Sequence, residues 1–356
     1  MGVFFNTMKR FIIIVAFMIP LCSCNFRAEY ETLDGFALGT IYHIVYEQPA
    51  RKVTGKDVPQ KPHINIPDMV EQTFKEINTS LSIYNQESII SKVNRNEPVA
   101  LDSLFVTVFL CGKEVYSLTS GAFDMAAAPY FDLWGFGLKN REEVTQSKLD
   151  SIAEFVGMDK VSISDGKIVK TDPRISLSAN AIAKGYCSDL IALRLQEAGI
   201  NHFLVEVGGE IYCKGVSPQG RAWNIGIDRP EFGNLTPGRD MQTTLLISGQ
   251  GLATSGNYRN YYEVDGQKYG HTVDPATGRP VQHSLLSATV IAPDCMSADA
   301  FATAFMVMGL EKTQRFLEAH PQMDAILIYS DHSGAFQSFA TPNARSKMAK
   351  GGRLRR

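Results

Sequence analysis

The chain reads HTVDPATG at residues 271–278 and SADAFAT at residues 297–303, and these two runs carry most of its information on fold and chemistry. Asp-Pro and Thr-Gly are turn-forming pairs, so the first run predicts a tight turn that carries His271. The second run predicts the beginning of a helix, with Asp299 and Thr303 four residues apart on one face. A carboxylate and a hydroxyl are hard oxygen ligands, which suit Mg²⁺ or Ca²⁺ better than zinc. The histidine, the turn and the oxygen pair together indicate chemistry on a phosphate.

The sequence on either side of this segment predicts a sheet with helices packed on it. Six runs rich in β-branched and aromatic residues lie between residues 203 and 292, and turn pairs such as Gly-Gly and Asp-Gly separate them, which is typical of hairpins. Residues 36–46 predict one further strand. Apolar residues at helical spacing predict helices over 67–81, 104–118, 181–198 and 297–308. Because βαβ alternation is weak and no Gly-x-Gly-x-x-Gly follows a strand, a Rossmann domain is disfavoured. We expect an α+β body with helices packed on a largely antiparallel sheet.

Composition places the chain among ordinary globular proteins. It has 356 residues, 44% of them hydrophobic, with 35 basic and 37 acidic side chains and a net charge of −2. No dense basic run precedes the short tail at 353–356, so nothing indicates nucleic acid. The four cysteines beyond the N-terminal region are widely spaced and form no Cys-x-x-Cys pair, which argues against a zinc ribbon or a thioredoxin-like site. We expect them to be buried small apolar residues. One disulfide between two of them, which the sequence cannot assign, is the alternative.

The N-terminus has the pattern of an export signal. Two basic residues precede an apolar run at 11–21, which ends in Leu-Cys-Ser-Cys and resembles a bacterial lipobox. That resemblance implies lipidation of Cys24 and a membrane-anchored lipoprotein facing the periplasm; an uncleaved anchor or an ordinary signal peptide is the alternative. The domain boundaries that we expect are a lipoprotein signal peptide at 1–23, a tether at 24–34, one catalytic domain at 35–335 and a disordered tail at 336–356.

Several other motifs admit a functional and a structural interpretation. A lysine in the first turn of the helix after SANAIAKGY could bind phosphate, or could be a surface residue. The turn GAFD at 121–124, with LWGFG at 133–137, could admit a flat ring system or close an edge of the core. Ser255 lacks the Gly-x-Ser-x-Gly context of a nucleophile, so we interpret it as a hydrogen-bonding group. Glu206 and Glu210 fit solvated or ion-paired side chains better than catalytic ones.

Taken in order, these motifs resemble the ApbE family, the FAD:protein FMN transferases. The resemblance covers residues 35 to 330 and rests on LGT, GAFD, LWGFG, AKGY, GGE, TSGNY, HTVDPATG and ADAFAT in combination. It implies a T-fold-like body that binds FAD with Mg²⁺. It also implies that FMN is transferred to a threonine hydroxyl of a partner flavoprotein while AMP leaves.

The resemblance also implies roles for individual residues. His271 matches the catalytic histidine, and Asp299, Thr303 and the main-chain carbonyl of Ala181 match the Mg²⁺ ligands. The positions that would contact FAD are Leu38, Tyr84, Ala122, Phe123, Asp124, Ser178, Lys184 and Val273.

The chain departs from the family pattern at three places. Ser178 replaces a common aspartate, Asn180-Ala181 replaces a Gly-Gly pair, and Leu38 replaces methionine. A backbone carbonyl can still come from Ala181, whereas the loss of the carboxylate at 178 puts that contact in doubt. The resemblance also implies that an aromatic residue at position 84, here Tyr84, favours transfer over hydrolysis. Three other functions stay open: an FAD pyrophosphatase that makes FMN and AMP, a non-catalytic flavin-binding or flavin-delivery lipoprotein, and a purely structural surface lipoprotein.

Overall fold

The computed structural model describes residues 28–48, 64–231, 238–257, 261–264 and 267–349. Its strands, in chain order, are β1 Tyr30–Ala37, β2 Thr40–Glu47, β3 Val161–Ser164, β4 Lys167–Lys170, β5 Phe203–Val207, β6 Glu210–Lys214, β7 Trp223–Asp228, β8 Met241–Ile247, β9 Gln250–Gly256, β10 Tyr261–Val264, β11 Gln267–Gly270, β12 Val273–Asp274, β13 Arg279–Pro280, β14 Leu285–Ala292, β15 Asp324–Ser330 and β16 Phe336–Ala340. Its helices are α1 Ile66–Leu81, α2 Ile89–Asn94, α3 Ser103–Leu118, α4 Ala128–Trp134, α5 Gln146–Ala153, α6 Ala183–Glu197, α7 Cys295–Ala319 and α8 Pro342–Ser346.

One sheet organises these elements. Its strand order is β1-β2-β5-β6-β9-β14-β15-β16, and every neighbouring pair is antiparallel. Helices α6 and α7 pack on this sheet and on each other, while α1 and α3 pack against them in turn. The predicted α+β class and the largely antiparallel sheet are therefore confirmed.

The core has two parts. The larger apolar cluster contains the buried faces of α1, α3, α6 and α7 together with the central strands. A smaller cluster joins the separate β7–β8 hairpin to the sheet and includes Trp223, Ile225 and Leu245. Since the central strands contribute residues to both clusters, the sheet is covered by apolar packing on both faces, which fixes the position of α6 and α7 on it.

Helix α7 has a defined start and a break. The Asp294 side chain accepts a hydrogen bond from the Ser297 N–H at 2.7 Å, which caps the helix. Gly309, at φ 75°, interrupts the helical backbone, and the chain resumes as a helix up to Ala319. The predicted helix over 297–308 therefore ends where Gly309 breaks the observed helix. Its predicted start lies two residues after the observed first residue, Cys295.

Three sequence predictions about the chain's periphery are wrong. Residues 36–46 form two strands, because Leu38 and Gly39 make a two-residue hairpin turn with φ of 50° and 75°. The tether expected at 24–34 ends earlier, since β1 begins at Tyr30 and pairs with β2 along its whole length. The tail expected at 336–356 contains a strand of the main sheet and a helix, over Phe336–Ala340 and Pro342–Ser346.

The four cysteines in the described part of the chain are free thiols. Cys187, Cys213 and Cys295 are buried and Cys111 is half-buried, so the expectation of small apolar residues holds and none of these four forms a disulfide. Burial raises the pKa of the Cys111 thiol to about 12, as expected for an unreactive group. In the part of the chain that the structure describes, no helix is both long and apolar enough to cross a bilayer.

Candidate active site

The centre of the candidate site is the contact between α6 and α7. Asp299 lies on α7 and is 3% exposed, and its Oδ2 accepts a hydrogen bond from the Gly185 N–H of α6 at 3.1 Å. A Cβ at position 185 would lie 2.9 Å from the Asp299 Cβ and would overlap the Cys295 carbonyl. The glycine of the AKGY motif is therefore required because the two helices approach so closely at this carboxylate.

Lys184 supplies a positive charge beside this contact. Its Nζ lies 3.2 Å from Oε1 of Glu210 and 3.8 Å from Oδ2 of Asp299. Burial opposes the lysine charge, but the two carboxylates outweigh it and hold the pKa of Lys184 above its usual value. Lys184 is therefore an ammonium ion enclosed by carboxylates rather than a free surface lysine.

Thr303 extends the polar surface by one helical turn. Its Oγ1 lies 3.3 Å from the Ser255 hydroxyl on β9, and either hydroxyl can donate the hydrogen bond. Next to Ser255, the Thr254 hydroxyl lies 2.9 Å from the Thr289 hydroxyl of β14. Thr303 and Asp299 are four residues apart on α7, so the carboxylate and the hydroxyl share one face as the sequence predicts. Ser255 thus acts as a hydrogen-bonding partner within the site.

The oxygen atoms here fit a magnesium ion. Gly185 is the third residue of α6, so its N–H has no acceptor within the helix, and it donates to Asp299. Asp299 and Thr303 supply a carboxylate and a hydroxyl, which are hard oxygen donors, and the Ala181 carbonyl, two residues before α6, stays a predicted third ligand. No cluster of three or more His, Cys, Asp or Glu side chains within the described residues could hold a metal. A site made of Asp299, Thr303 and a backbone carbonyl would leave several coordination positions to water and phosphate, as Mg²⁺ prefers.

His271 lies on a turn that two other segments of the chain hold by hydrogen bonds. Its ring meets Phe136 edge-on, with centroids 6.5 Å apart and planes at 73°. The Trp134 indole N–H donates to the Gly278 carbonyl at 2.7 Å, and the Thr272 hydroxyl donates to Asn257 Oδ1 at 2.6 Å. The LWGFG motif and the turn at 271–278, distant in sequence, are thus held together.

The aspartate of this turn closes the turn itself. Asp274 Oδ1 accepts the Ala276 N–H at 2.9 Å, and its Oδ2 accepts the Thr277 hydroxyl at 3.1 Å. The neighbouring Val273 is 2% exposed, so its side chain belongs to the core and only its backbone is left for a ligand. These hydrogen bonds make the Asp-Pro turn rigid. The turn therefore holds the backbone next to His271 in a fixed conformation.

A second group of predicted flavin positions also comes together. The Ser178 N–H donates to the Met125 carbonyl at 2.8 Å, which brings position 178 beside the turn at 122–124. Phe123 is 2% exposed, and the carboxylate of Asp124 accepts the Ala126 N–H at 2.7 Å. Burial raises the pKa of Asp124 to about 7. Phe123 therefore closes the core edge, whereas Asp124 and Ser178 are polar residues on two neighbouring segments.

Two further predicted flavin positions lie on other segments of the chain. Leu38 occupies the hairpin turn between β1 and β2 and lines a groove of about 450 Å³ between this hairpin and α1. Neither Asp299 nor Thr303 lines this groove. Tyr84, just beyond the end of α1, is 65% exposed. The hairpin does approach the site elsewhere, since a Cβ on Gly208 would lie 2.9 Å from Thr40 and 3.1 Å from the Lys184 side chain. The roles of Leu38 and Tyr84 stay predictions. Cys24 lies outside the described residues.

Comparison with known proteins identifies the family. The model of the ApbE family matches residues 38–327. This chain is a member of the ApbE family. It is 32% identical over 348 residues to a protein of Vibrio cholerae serotype O1 called FAD:protein FMN transferase, covering 96% of this chain and 100% of that protein. It is 31% identical over 331 residues to the Haemophilus influenzae protein of the same name, covering 90% and 93%.

Solved structures in the ApbE family share the fold. The flavin transferase ApbE from Vibrio cholerae superposes with a TM-score of 0.78 at 32% identity, over 90% of this chain and 99% of that one. The flavinyl transferase ApbE of Pseudomonas stutzeri, in its apo form, gives 0.77 at 29% identity, over 90% and 97%. The family resemblance of the sequence motifs is thus confirmed, and the predicted fold agrees with these structures.

Two acidic residues of this region escaped the sequence analysis as site residues. Glu210, 6% exposed, contacts Lys184 from the β5–β6 turn. Asp189 of α6 accepts the backbone N–H groups of Cys295 and Met296 at 2.8 Å each, so it fastens the start of α7. The only signal for Glu210 was its place after Gly-Gly, and Asp189 lies five residues after Lys184 with no motif of its own.

Proposed function

We propose that this ApbE-family protein is a Mg²⁺-dependent FAD:protein FMN transferase, which moves FMN from FAD to a threonine hydroxyl of a partner flavoprotein and releases AMP. The observation that carries the proposal is the buried contact between Lys184 and Asp299 beside the Thr303 hydroxyl. It offers a diphosphate both a positive charge and oxygen ligands for a cation. The relatives are named for the same flavin transfer.

The chain's own residues divide the chemistry between binding and proton transfer. Asp299, Thr303 and the Ala181 carbonyl would hold Mg²⁺, which when bound offsets negative charge on the diphosphate. Lys184 adds its positive charge to the same oxygens. This is positioning with electrostatic stabilisation, the usual requirement of phosphoryl transfer.

The reaction exchanges one phosphorus–oxygen bond for another. The threonine Oγ attacks the phosphorus of the FMN half, and the bond from that phosphorus to the bridging oxygen breaks. AMP leaves with the bridging oxygen, and the hydroxyl proton passes to the His271 imidazole, which acts as general base. The hydrogen bonds of Trp134 and Thr272 hold the turn that carries His271. They support this role, because a general base must be positioned before the substrate binds.

We also propose that the protein is a lipoprotein anchored through Cys24 and facing the periplasm. The support is the sequence pattern of residues 1–24, which lies outside the described residues. Since β1 begins at Tyr30, a lipid on Cys24 would hold the catalytic body close to the membrane. Metabolic labelling with a radioactive fatty acid tests this: the label should appear on the wild type and be lost in Cys24→Ala.

The test of the catalytic proposal is a reconstituted transfer reaction. The full-length protein in detergent is mixed with FAD, Mg²⁺ and a candidate acceptor, and mass spectrometry measures covalent FMN on the acceptor. We expect an adduct that requires Mg²⁺ and disappears when the acceptor threonine is replaced by alanine. Steady AMP release without acceptor would identify a pyrophosphatase instead. FAD binding with neither product would identify a flavin-binding lipoprotein, and absence of binding would indicate a structural one.

A further inference from the structure

Glu210 is held rigidly against the candidate cation site. It follows the Gly208-Gly209 turn, and its backbone carbonyl accepts the Ser188 hydroxyl of α6 at 2.9 Å. Ser188 and Lys184 are four residues apart on α6, so both face the same turn. The Glu210 side chain reaches Lys184 with one oxygen, Oε1, at 3.2 Å. Its other oxygen, Oε2, is buried and has no hydrogen-bond partner among the described residues.

A buried acceptor without a donor is costly, so the position of this carboxylate calls for a reason. The lysine has two carboxylates within reach, and the distance to Glu210 is shorter than the 3.8 Å to Asp299. An ammonium ion that paired closely with Asp299 would occupy the carboxylate that a divalent cation needs. Glu210 offers the ammonium ion an alternative partner at the shorter distance.

We propose that Glu210 is a positioning residue that draws Lys184 away from Asp299 and so keeps Asp299 available to the cation. This inference rests on the proposed function, because it assumes that Asp299 binds Mg²⁺. Glu210 acts through Lys184 in this arrangement and touches neither the cation nor the substrate. Glu210 thereby reduces the competition between Lys184 and the cation for the Asp299 carboxylate.

The test measures binding of Mg²⁺ alone to the full-length protein, without FAD, by titration calorimetry and by thermal melts. Glu210→Asp keeps the charge but shortens the side chain by one methylene, so it cannot reach Lys184 as well, and Glu210→Gln removes the charge. We expect both variants to bind Mg²⁺ about 10-fold more weakly or worse, as for other residues that support metal ligands. The double variant Glu210→Asp with Lys184→Met should bind Mg²⁺ as tightly as Lys184→Met alone, because Glu210 then has no lysine to act on.

Each other outcome overturns the inference in a recognisable way. Unchanged Mg²⁺ affinity in Glu210→Asp would mean that only the total charge matters. Weak binding that persists in the double variant would mean that Glu210 acts on the cation directly. Should the Glu210 variants fail to fold, Lys184→Met alone still decides, because it should bind Mg²⁺ more tightly and weaker binding contradicts the proposal. If the wild type binds no Mg²⁺, the metal dependence in the proposed function fails as well, which separates that failure from an error about Glu210 alone.

Discussion

At the scale of single residues, Asp299 combines a structural and a chemical task. It is buried and accepts the Gly185 N–H, so Asp299→Ala would leave that N–H without its partner and cost about 1–3 kcal/mol of stability. Asp299→Asn keeps an acceptor oxygen and removes the charge. We expect Asp299→Asn to fold but to lose the rise in melting temperature that Mg²⁺ gives the wild type.

A matched control for Asp299 lies in the same helix. Asp294 caps α7 through the Ser297 N–H, and asparagine can make the same cap, so Asp294→Asn should melt close to the wild type and keep its response to Mg²⁺. The measurement is a set of melting curves with and without Mg²⁺. Equal stabilisation of Asp299→Asn and the wild type would rule out Asp299 as a ligand.

His271 gives the second residue-scale prediction. If its imidazole takes the acceptor's proton, His271→Ala should slow FMN transfer by about 10²- to 10⁴-fold while FAD still binds. His332, an exposed histidine, offers the control, since His332→Ala should transfer at the wild-type rate. Single-turnover transfer followed by mass spectrometry separates the chemical step from binding. Transfer by His271→Ala at the wild-type rate would remove the histidine from the mechanism.

At the scale of elements, the distance between α6 and α7 sets the site. Gly185→Ala would place a methyl group against the backbone of Cys295 and 2.9 Å from the Asp299 Cβ, and backbone cannot yield as a flexible side chain can. We expect a loss of about 1–3 kcal/mol of stability, together with loss of Mg²⁺ binding, because the helices must separate.

The control for Gly185→Ala is a glycine inside another helix. In Gly112→Ala of α3 the added methyl group meets the Met125 side chain, whose thioether can move aside. Chemical unfolding and Mg²⁺ titration should show normal metal affinity for this variant. Wild-type Mg²⁺ affinity in Gly185→Ala would contradict the idea that the α6–α7 spacing defines the site.

The same scale shows how far the sequence could predict this fold. Helices α1, α3, α6 and α7 have apolar residues at helical spacing, and β5, β6 and β7 lie among the runs expected to form strands between residues 203 and 292. The hairpin turn at Leu38-Gly39 was missed because leucine rarely adopts a positive φ. Strand β9 was missed because its Gly, Ala, Thr and Ser residues lack the usual β-strand signal, although it lies between β6 and β14.

Site residues show a similar division. Asp299, Thr303 and Lys184 lie in motifs whose local spacing already places them on helix faces. Glu210 was interpreted as a solvated or paired side chain, and only the tertiary structure reveals that it is buried against Lys184. Burial of a charged group depends on which elements pack together, and that information is absent from a window of neighbouring residues.

At the scale of the whole molecule, buried acids make stability depend on pH. Burial raises the pKa of Asp189 to about 7, in spite of the two backbone N–H groups that it accepts, and burial also raises that of Asp124 to about 7. The unfolded chain releases these protons near the ordinary value of about 3.9. Between these values the folded state holds more protons than the unfolded state, so the free energy of unfolding falls as pH rises from about 4 to 7.

Asp189→Asn should therefore flatten this pH dependence. The substitution removes one titrating group, which contributes at most roughly 1.4 kcal/mol per pH unit inside that window. Absolute stability should drop as well, because an asparagine oxygen can accept only part of what the carboxylate accepts from Cys295 and Met296. The slope is therefore the informative quantity, and urea unfolding at pH 5, 6 and 7 without Mg²⁺ measures it.

Asp331 does not contribute to the slope in this pH range. Hydrogen bonds from Ser333 and Gln337 lower its pKa to about 2, so its effect on the free energy of unfolding lies at lower pH. A slope in Asp189→Asn equal to that of the wild type would mean that Asp189 is already ionised in the folded protein, with its negative charge stabilised by the N-terminus of α7.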